Sequence, residues 1–143
     1  MKKTYFLCAA CLILVGCASP YQPIAFTGGY SDMKMQDNVF VVTYRGNGYT
    51  SDIQAKDFAM LHCAEVTLQN GYKYFAISGP GSETTVTQES TINGFGAAYP
   101  YVDKPDVRYT IIAYNNKEDA PKGTALMDAT LVKNNIRNEY KLK

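Results

Sequence analysis

The sequence predicts an α+β fold, a two-layer sandwich in which a four-stranded, mostly antiparallel sheet carries two helices on one face, in the order β-α-β-β-β-α. Three observations predict it. Val39–Arg45 (VFVVTYR) and residues 107–114 (VRYTIIAY) are runs of β-branched and aromatic residues, the composition of strands that pack against a core. Between them, apolar residues recur every three or four positions over 52–70, as on a helix burying one side. The 143 residues are 46% hydrophobic and 19% charged, enough apolar material for one ordinary domain and too much for a disordered chain.

The first element is an address. Lys2 and Lys3 precede an unbroken apolar run of ten residues, 6–15 (FLCAACLILV), the layout of an export signal. Such a run makes a helix of about 15 Å, half of a bilayer core, and is too short to span. Leu14-Val15-Gly16-Cys17 resembles the lipobox of bacterial lipoproteins. The resemblance implies that residues 1–16 are a cleaved signal peptide, that the Cys17 sulfur carries diacylglycerol, and that the new amine is acylated. Two or three acyl chains exceed what stable membrane residence needs. With Ala18, and not Asp, after the lipidated cysteine, the pattern resembles that of lipoproteins forwarded to the outer membrane. The expected location is therefore the outer membrane, lipid-anchored, with the domain facing the periplasm.

The same cut settles the cysteines. Cys8 and Cys11 make a C-x-x-C spacing, but both belong to the discarded signal. Cys17 is taken by lipid, so Cys63 is left as the one free thiol, expected as a buried small side chain on a helix. With Lys2 and Lys3 gone from the 14 basic side chains, 12 remain against 13 acidic ones. A nearly neutral domain has no field to gather phosphates, so nucleic acid is not an expected partner.

Residues 17–38 show Pro20, Pro23 and the pair Gly28-Gly29 without a helical or strand period. They read as the lipidated N-terminus and a tether, with a reach of about 60 to 70 Å when extended. Tyr21, Ile24, Phe26 and Tyr30 argue that part of this segment packs back on the domain. The globular domain is expected over 39–143. Its first strand, 39–45, is closed by Gly46-Asn47-Gly48, a turn expected to need positive φ. Ser51 or Thr50 caps the helix over 52–70, with Gln54 in the capping-box position. Its stripe is Ala55, Phe58, Ala59, His62, Cys63 and Val66, widened by Leu61, Ala64 and Leu68, so cover is expected on more than one flank. Gly71 ends it.

Residues 72–78 (YKYFAIS) form the second strand, and 84–92 (TTVTQESTI) a third, more exposed one. Residues 93–106 read as a long aromatic loop with Phe95, Tyr99 and Tyr101 between glycines and prolines. The last three strands are expected to pair as a meander. From Thr124 the spacing Ala125, Ala129, Val132, Ile136 and Tyr140 marks the second helix.

Gly28-Gly29-Tyr30-Ser31, then Tyr44-Arg45-Gly46-Asn47-Gly48-Tyr49-Thr50, then Ala64-Glu65-Val66-Thr67-Leu68 followed by Gly71-Tyr72-Lys73-Tyr74-Phe75, resemble a family of small bacterial envelope lipoproteins of unknown function. The likeness covers roughly 17–77. It implies a lipidated envelope protein and supplies no activity, substrate or catalytic residue. His62 stands where the family is expected to carry Arg.

Local signals for chemistry are weak. Gly46-x-Gly48 after a strand and before a helix lacks the third glycine and the acidic ribose ligand of a dinucleotide fold. Ser31-x-x-Lys34 has the spacing of a serine-lysine catalytic pair but lies outside any predicted helix, without partner motifs. A lone His62 supplies neither a His-rich metal site nor a Ser-His-Asp order, and is expected as a satisfied core side chain. Neither cofactor nor metal is expected. Twelve Tyr and six Phe with no Trp, several in the 95–101 stretch, suit recognition, so Phe95, Tyr99 and Tyr101 are the candidate binding residues. The expected function is a non-enzymatic binding module for an envelope protein or peptidoglycan. The alternatives are an envelope-stress sensor and a small envelope-polymer hydrolase, the latter testable by mutating Glu65 or His62.

Overall fold

The computed structural model describes residues 20–78, 83–88 and 103–143. Among them the chain forms β1 (Gly29–Gln36), β2 (Val39–Arg45), α1 (Asp52–Gln69), β3 (Tyr74–Ile77), β4 (Glu83–Gln88), β5 (Asp103–Tyr114), β6 (Met127–Asp128) and α2 (Ala129–Glu139). It is a two-layer α+β sandwich. The sheet runs β1-β2-β5-β3-β6, with β4 also paired to β5, and every neighbouring pair is antiparallel.

β5 organises the sheet because it is long enough to serve three partners. One edge takes β2, from Val39↔Ile112 to Arg45↔Asp106. The other edge takes β4 along its first half and β3 along its second, in register Glu83↔Arg108 and Ile77↔Ile111. The expected meander is thereby corrected: β3 pairs with β5 and not with β4. Since β2 and β3 both run antiparallel to β5, they are parallel to each other, and α1 is the crossover that joins them.

Alternation builds the core. Phe40, Val42 and Tyr44 of β2, Val107, Tyr109, Ile111 and Ala113 of β5, and Phe75 of β3 are buried against the helical layer. α1 answers with Ala55, Phe58, Ala59, Cys63, Ala64 and Val66. Leu61, His62, Glu65 and Thr67 are buried as well, because α2, the edge strand β1 and the N-terminal segment cover the sides of α1 that the central strands do not. Ser51 Oγ accepts from the Gln54 amide at 3.1 Å and starts the helix. Gly71, at φ +82°, turns the chain out of it.

The structure departs from the sequence expectation in four further places. β1 lies within the expected tether and is an edge strand on β2. Its GYSDMKMQ sequence lacks β-branched residues and is largely exposed, which hid it. β5 begins at Asp103 and passes through Pro105, which sits just beyond the last β2 pair and offers its carbonyl to the Gly46 amide at 2.7 Å. α2 begins at Ala129 and not near Thr124, because Met127 and Asp128 pair with Phe75 and Tyr74, and Asp128 then caps the helix by accepting from the Leu131 amide at 3.0 Å. Gly46 and Gly48 do not have positive φ. At Gly46 the requirement is room: a Cβ would stand 2.8 Å from both Pro105 Cγ and Thr50 Cβ.

Positive φ is used instead at Gly28 (+103°) and Gly29 (+135°), where residues 20–28 fold back on the start of β1. The Ile24 amide donates to the Tyr30 carbonyl at 2.7 Å and the Tyr30 amide to Gln22 at 2.8 Å. A Cβ at Gly29 would stand 2.5 Å from the Gln22 carbonyl oxygen and 2.7 Å from that of Pro23. Gly29→Ala is therefore expected to cost about 2 kcal/mol and to loosen residues 20–28 selectively. Urea unfolding together with limited proteolysis checks both effects.

Candidate functional site: a buried polar cluster under the N-terminal segment

The helix period places His62 and Glu65 one turn apart on a flank of α1 turned towards the β1 edge of the sheet. Three other parts of the chain converge there. Residues 20–28 deliver Tyr21, β1 delivers Tyr30 and Asp32 on one face by the two-residue strand period, and α2 delivers Arg137. His62 Nε2 lies 2.8 Å from Asp32 Oδ1, and its Nδ1 lies 3.3 Å from the Tyr21 hydroxyl. The ring stacks on Tyr30 with centroids 4.1 Å apart. Tyr21 donates its hydroxyl proton to Glu65 Oε2. Arg137 donates to Glu65 Oε1 from Nη2 at 2.8 Å and from Nε at 3.3 Å, and its Nη1 donates to the Lys143 backbone oxygen.

The cluster is graded from dry to wet. The His62 and Glu65 side chains are 4% and 10% exposed, whereas those of Arg137 and Asp32 are 30% and 43% exposed. Burial alone would push the Glu65 carboxyl up; the nearby His62 ring at 3.8 Å and the hydrogen bonds from Tyr21 and Arg137, with the Arg137 charge, outweigh it and hold the group down at about 2. The Tyr21 phenol moves far the other way, raised by burial and by its donation to the Glu65 carboxylate. Tyr30 is raised by burial and by the Glu65 charge.

Because the folded-state value of Glu65 lies below its ordinary 4.5, ionised Glu65 stabilises the fold above about pH 4.5 and loses that effect as the pH falls towards 2. Thermal stability is therefore expected to fall across this acidic window. Glu65→Gln should flatten the acidic slope, and calorimetry between pH 7 and pH 2.5 reads the difference.

Aspartate, imidazole and hydroxyl in series resemble a relay for activating a nucleophile. The electrostatics run against that use. An attacking phenol needs a lowered pKa, and Tyr21 has a raised one with its proton committed to Glu65. What the arrangement does is join four parts of the chain by charge-assisted hydrogen bonds. Among the described residues, no buried side-chain polar atom lacks a partner, and no group of three or more His, Cys, Asp or Glu is placed to hold a metal.

Cys17, Phe95, Tyr99 and Tyr101 lie outside the described residues. Of the side chains singled out for chemistry, His62 and Glu65 are brought together, and His62 is the satisfied interior residue expected. Ser31 and Lys34 lie on exposed β1 three residues apart, hence on opposite faces of a strand. Cys63 is fully buried and its thiol is pushed far up by burial, which makes it unreactive. Sequence reasoning missed Tyr21, Asp32 and Arg137 as partners. The available signal was the aromatic content of the N-terminal stretch and the breadth of the α1 stripe, which demanded cover from an unassigned segment.

No known protein family, curated protein or solved structure matches the chain.

Proposed function

We propose that the protein is a lipoprotein acylated at Cys17, held in the outer membrane facing the periplasm, and that its domain is a non-enzymatic interaction module for an envelope protein or peptidoglycan. The supporting observation is the lock on Tyr21. Four residues after Cys17 the chain is already fixed to both helices through Glu65 and Arg137. The chain from Cys17 to Pro20 extends no more than about 11 Å, in place of the long tether expected from composition. A membrane anchor on Cys17 thus becomes a fixed mounting for the domain. A polar cluster that couples the mounted segment to α1 and α2, with a phenol poised against nucleophilic attack, suits a scaffold better than a catalyst.

Among the described residues no helix is long and apolar enough to cross a membrane, and an acyl anchor requires none. Mass spectrometry of the N-terminal peptide tests acylation, and membrane fractionation of the Cys17→Ser protein tests anchoring. In-cell photo-crosslinking from Tyr101 tests for a partner. A discrete adduct that depends on Cys17 is the expected result. Turnover of an envelope polymer that disappears in Glu65→Gln would overturn the non-enzymatic reading.

A further inference from the structure

The most exposed large hydrophobic side chain described is Phe26, wholly open to solvent at the tip of the loop that folds back on β1. It is not on a slack segment. Ala25 and Gly28 exchange backbone hydrogen bonds at 3.1 Å across the tip, and the Ile24 and Tyr30 amides pin its base. A phenyl ring held rigidly away from the core gains nothing from the fold, and Ile24 beside it is also exposed. The loop walls a cleft of about 250 Å³ whose other side is Arg45, Gly46, Asn47 and Lys104, so apolar and cationic groups share one end of the sheet. Tyr49, in the following turn, and Ile53, in the first turn of α1, are exposed apolar side chains that follow this cleft in sequence.

Resting on the acylation of Cys17, we infer that this end of the domain is a membrane-docking face, with Phe26 and Ile24 inserted at the headgroup boundary and Arg45 and Lys104 directed to lipid phosphates. The occupant follows from chain length. With at most about 11 Å of chain between the acylated residue and Pro20, less than the span of one α1-sized helix, the domain cannot stand clear of the headgroups and must rest some face on them. Pro20 leads within six residues to Phe26, and the face the loop presents pairs apolar tips with basic side chains, the composition that binds a lipid interface. Arg45 already bonds Asp106 at 3.2 Å and Lys104 is also engaged within the fold, so the charge contribution is modest and the apolar tips dominate.

The absence of tryptophan makes a clean test available. Phe26→Trp and, as a control, Leu131→Trp are introduced into the full acylated chain, reconstituted in phosphatidylethanolamine and phosphatidylglycerol vesicles. Leu131 is exposed on α2, whose start adjoins Tyr74 and Tyr114 at the opposite end of β5 from Arg45. The expected result is blue-shifted emission for the residue-26 probe and quenching by acyl-brominated lipid at least about twofold stronger than for the residue-131 probe. Equal quenching with water-like emission at both positions, in protein whose Cys17 peptide carries lipid, would overturn the docking face and leave the anchor standing. A Cys17 peptide without lipid would instead overturn the anchored reading, and the docking face with it.

Discussion

Arg137→Ala is expected to destabilise the folded domain by about 3 kcal/mol, with a fall in Tm on the order of 10 °C. Arg137 is the only cation that the Glu65 carboxylate contacts from another element among the described residues, through two guanidinium nitrogens at 2.8 and 3.3 Å. Removing it leaves a largely buried carboxylate with only Tyr21 and the adjacent His62 for company. The magnitude sits at the low end for a broken buried pair because the arginine side chain is partly solvated and those two partners stay. Glu65 would then titrate higher, so the acid-sensitive window should move up in pH. Combining Arg137→Ala with Glu65→Gln should cost less than the sum of the two single changes by at least about 1 kcal/mol, since the second change removes the stranded charge. Additive costs measured by urea unfolding would show that the two side chains are not coupled.

Phe58→Ala is expected to be more damaging, by about 4 kcal/mol. Phe58 is 2% exposed and is a hub of rings, edge-on to Tyr21 at 5.4 Å, to Tyr44 at 5.4 Å and to Tyr140 at 4.9 Å. It therefore joins the N-terminal segment, the sheet and the end of α2 at one point. Truncation removes the buried ring and opens a cavity whose walls are tyrosines with anchored hydroxyls, Tyr21 to Glu65 and Tyr140 to Asp57 at 2.6 Å. Such walls collapse poorly. Phe58→Leu keeps most of the volume and should cost less than half as much. Near-ultraviolet circular dichroism should register both changes, because the chromophores around Phe58 are all tyrosine.

These effects fall where the sequence was legible in part. The helix over 52–70 was readable from Ala55, Phe58, Ala59 and Cys63 at helical spacing, with Ser51 and Gly71 at its ends, and it agrees with α1 to one residue. β2 and the second half of β5 were readable because buried central strands concentrate Val, Ile and Tyr. β1 was not, since its stability comes from backbone pairing with β2 and its side chains are mostly solvated. The Thr124 start for α2 failed because a hydrophobic spacing does not reveal that Met127 and Asp128 are claimed by β3. Half of the polar cluster was visible as His62 and Glu65. Their partners sit between 30 and 72 positions away, a separation that no local spacing encodes. Once β1 was hidden, Asp32 was hidden with it, and Tyr21, expected to pack back on the domain, had no readable polar partner.

The central claim is that residues 20–30 belong to the folded body, so that the chain after Cys17 is a mounting and not a tether. Native-state hydrogen exchange at the Ile24 and Tyr30 amides tests it most directly, since both donate to backbone carbonyls within this segment. Protection close to that of the β1–β2 amides, reduced in Tyr21→Phe while the β2–β5 amides keep theirs, is the predicted result. Exchange at free-peptide rates at both positions, with β2 and β5 still protected, would contradict it and restore the long tether.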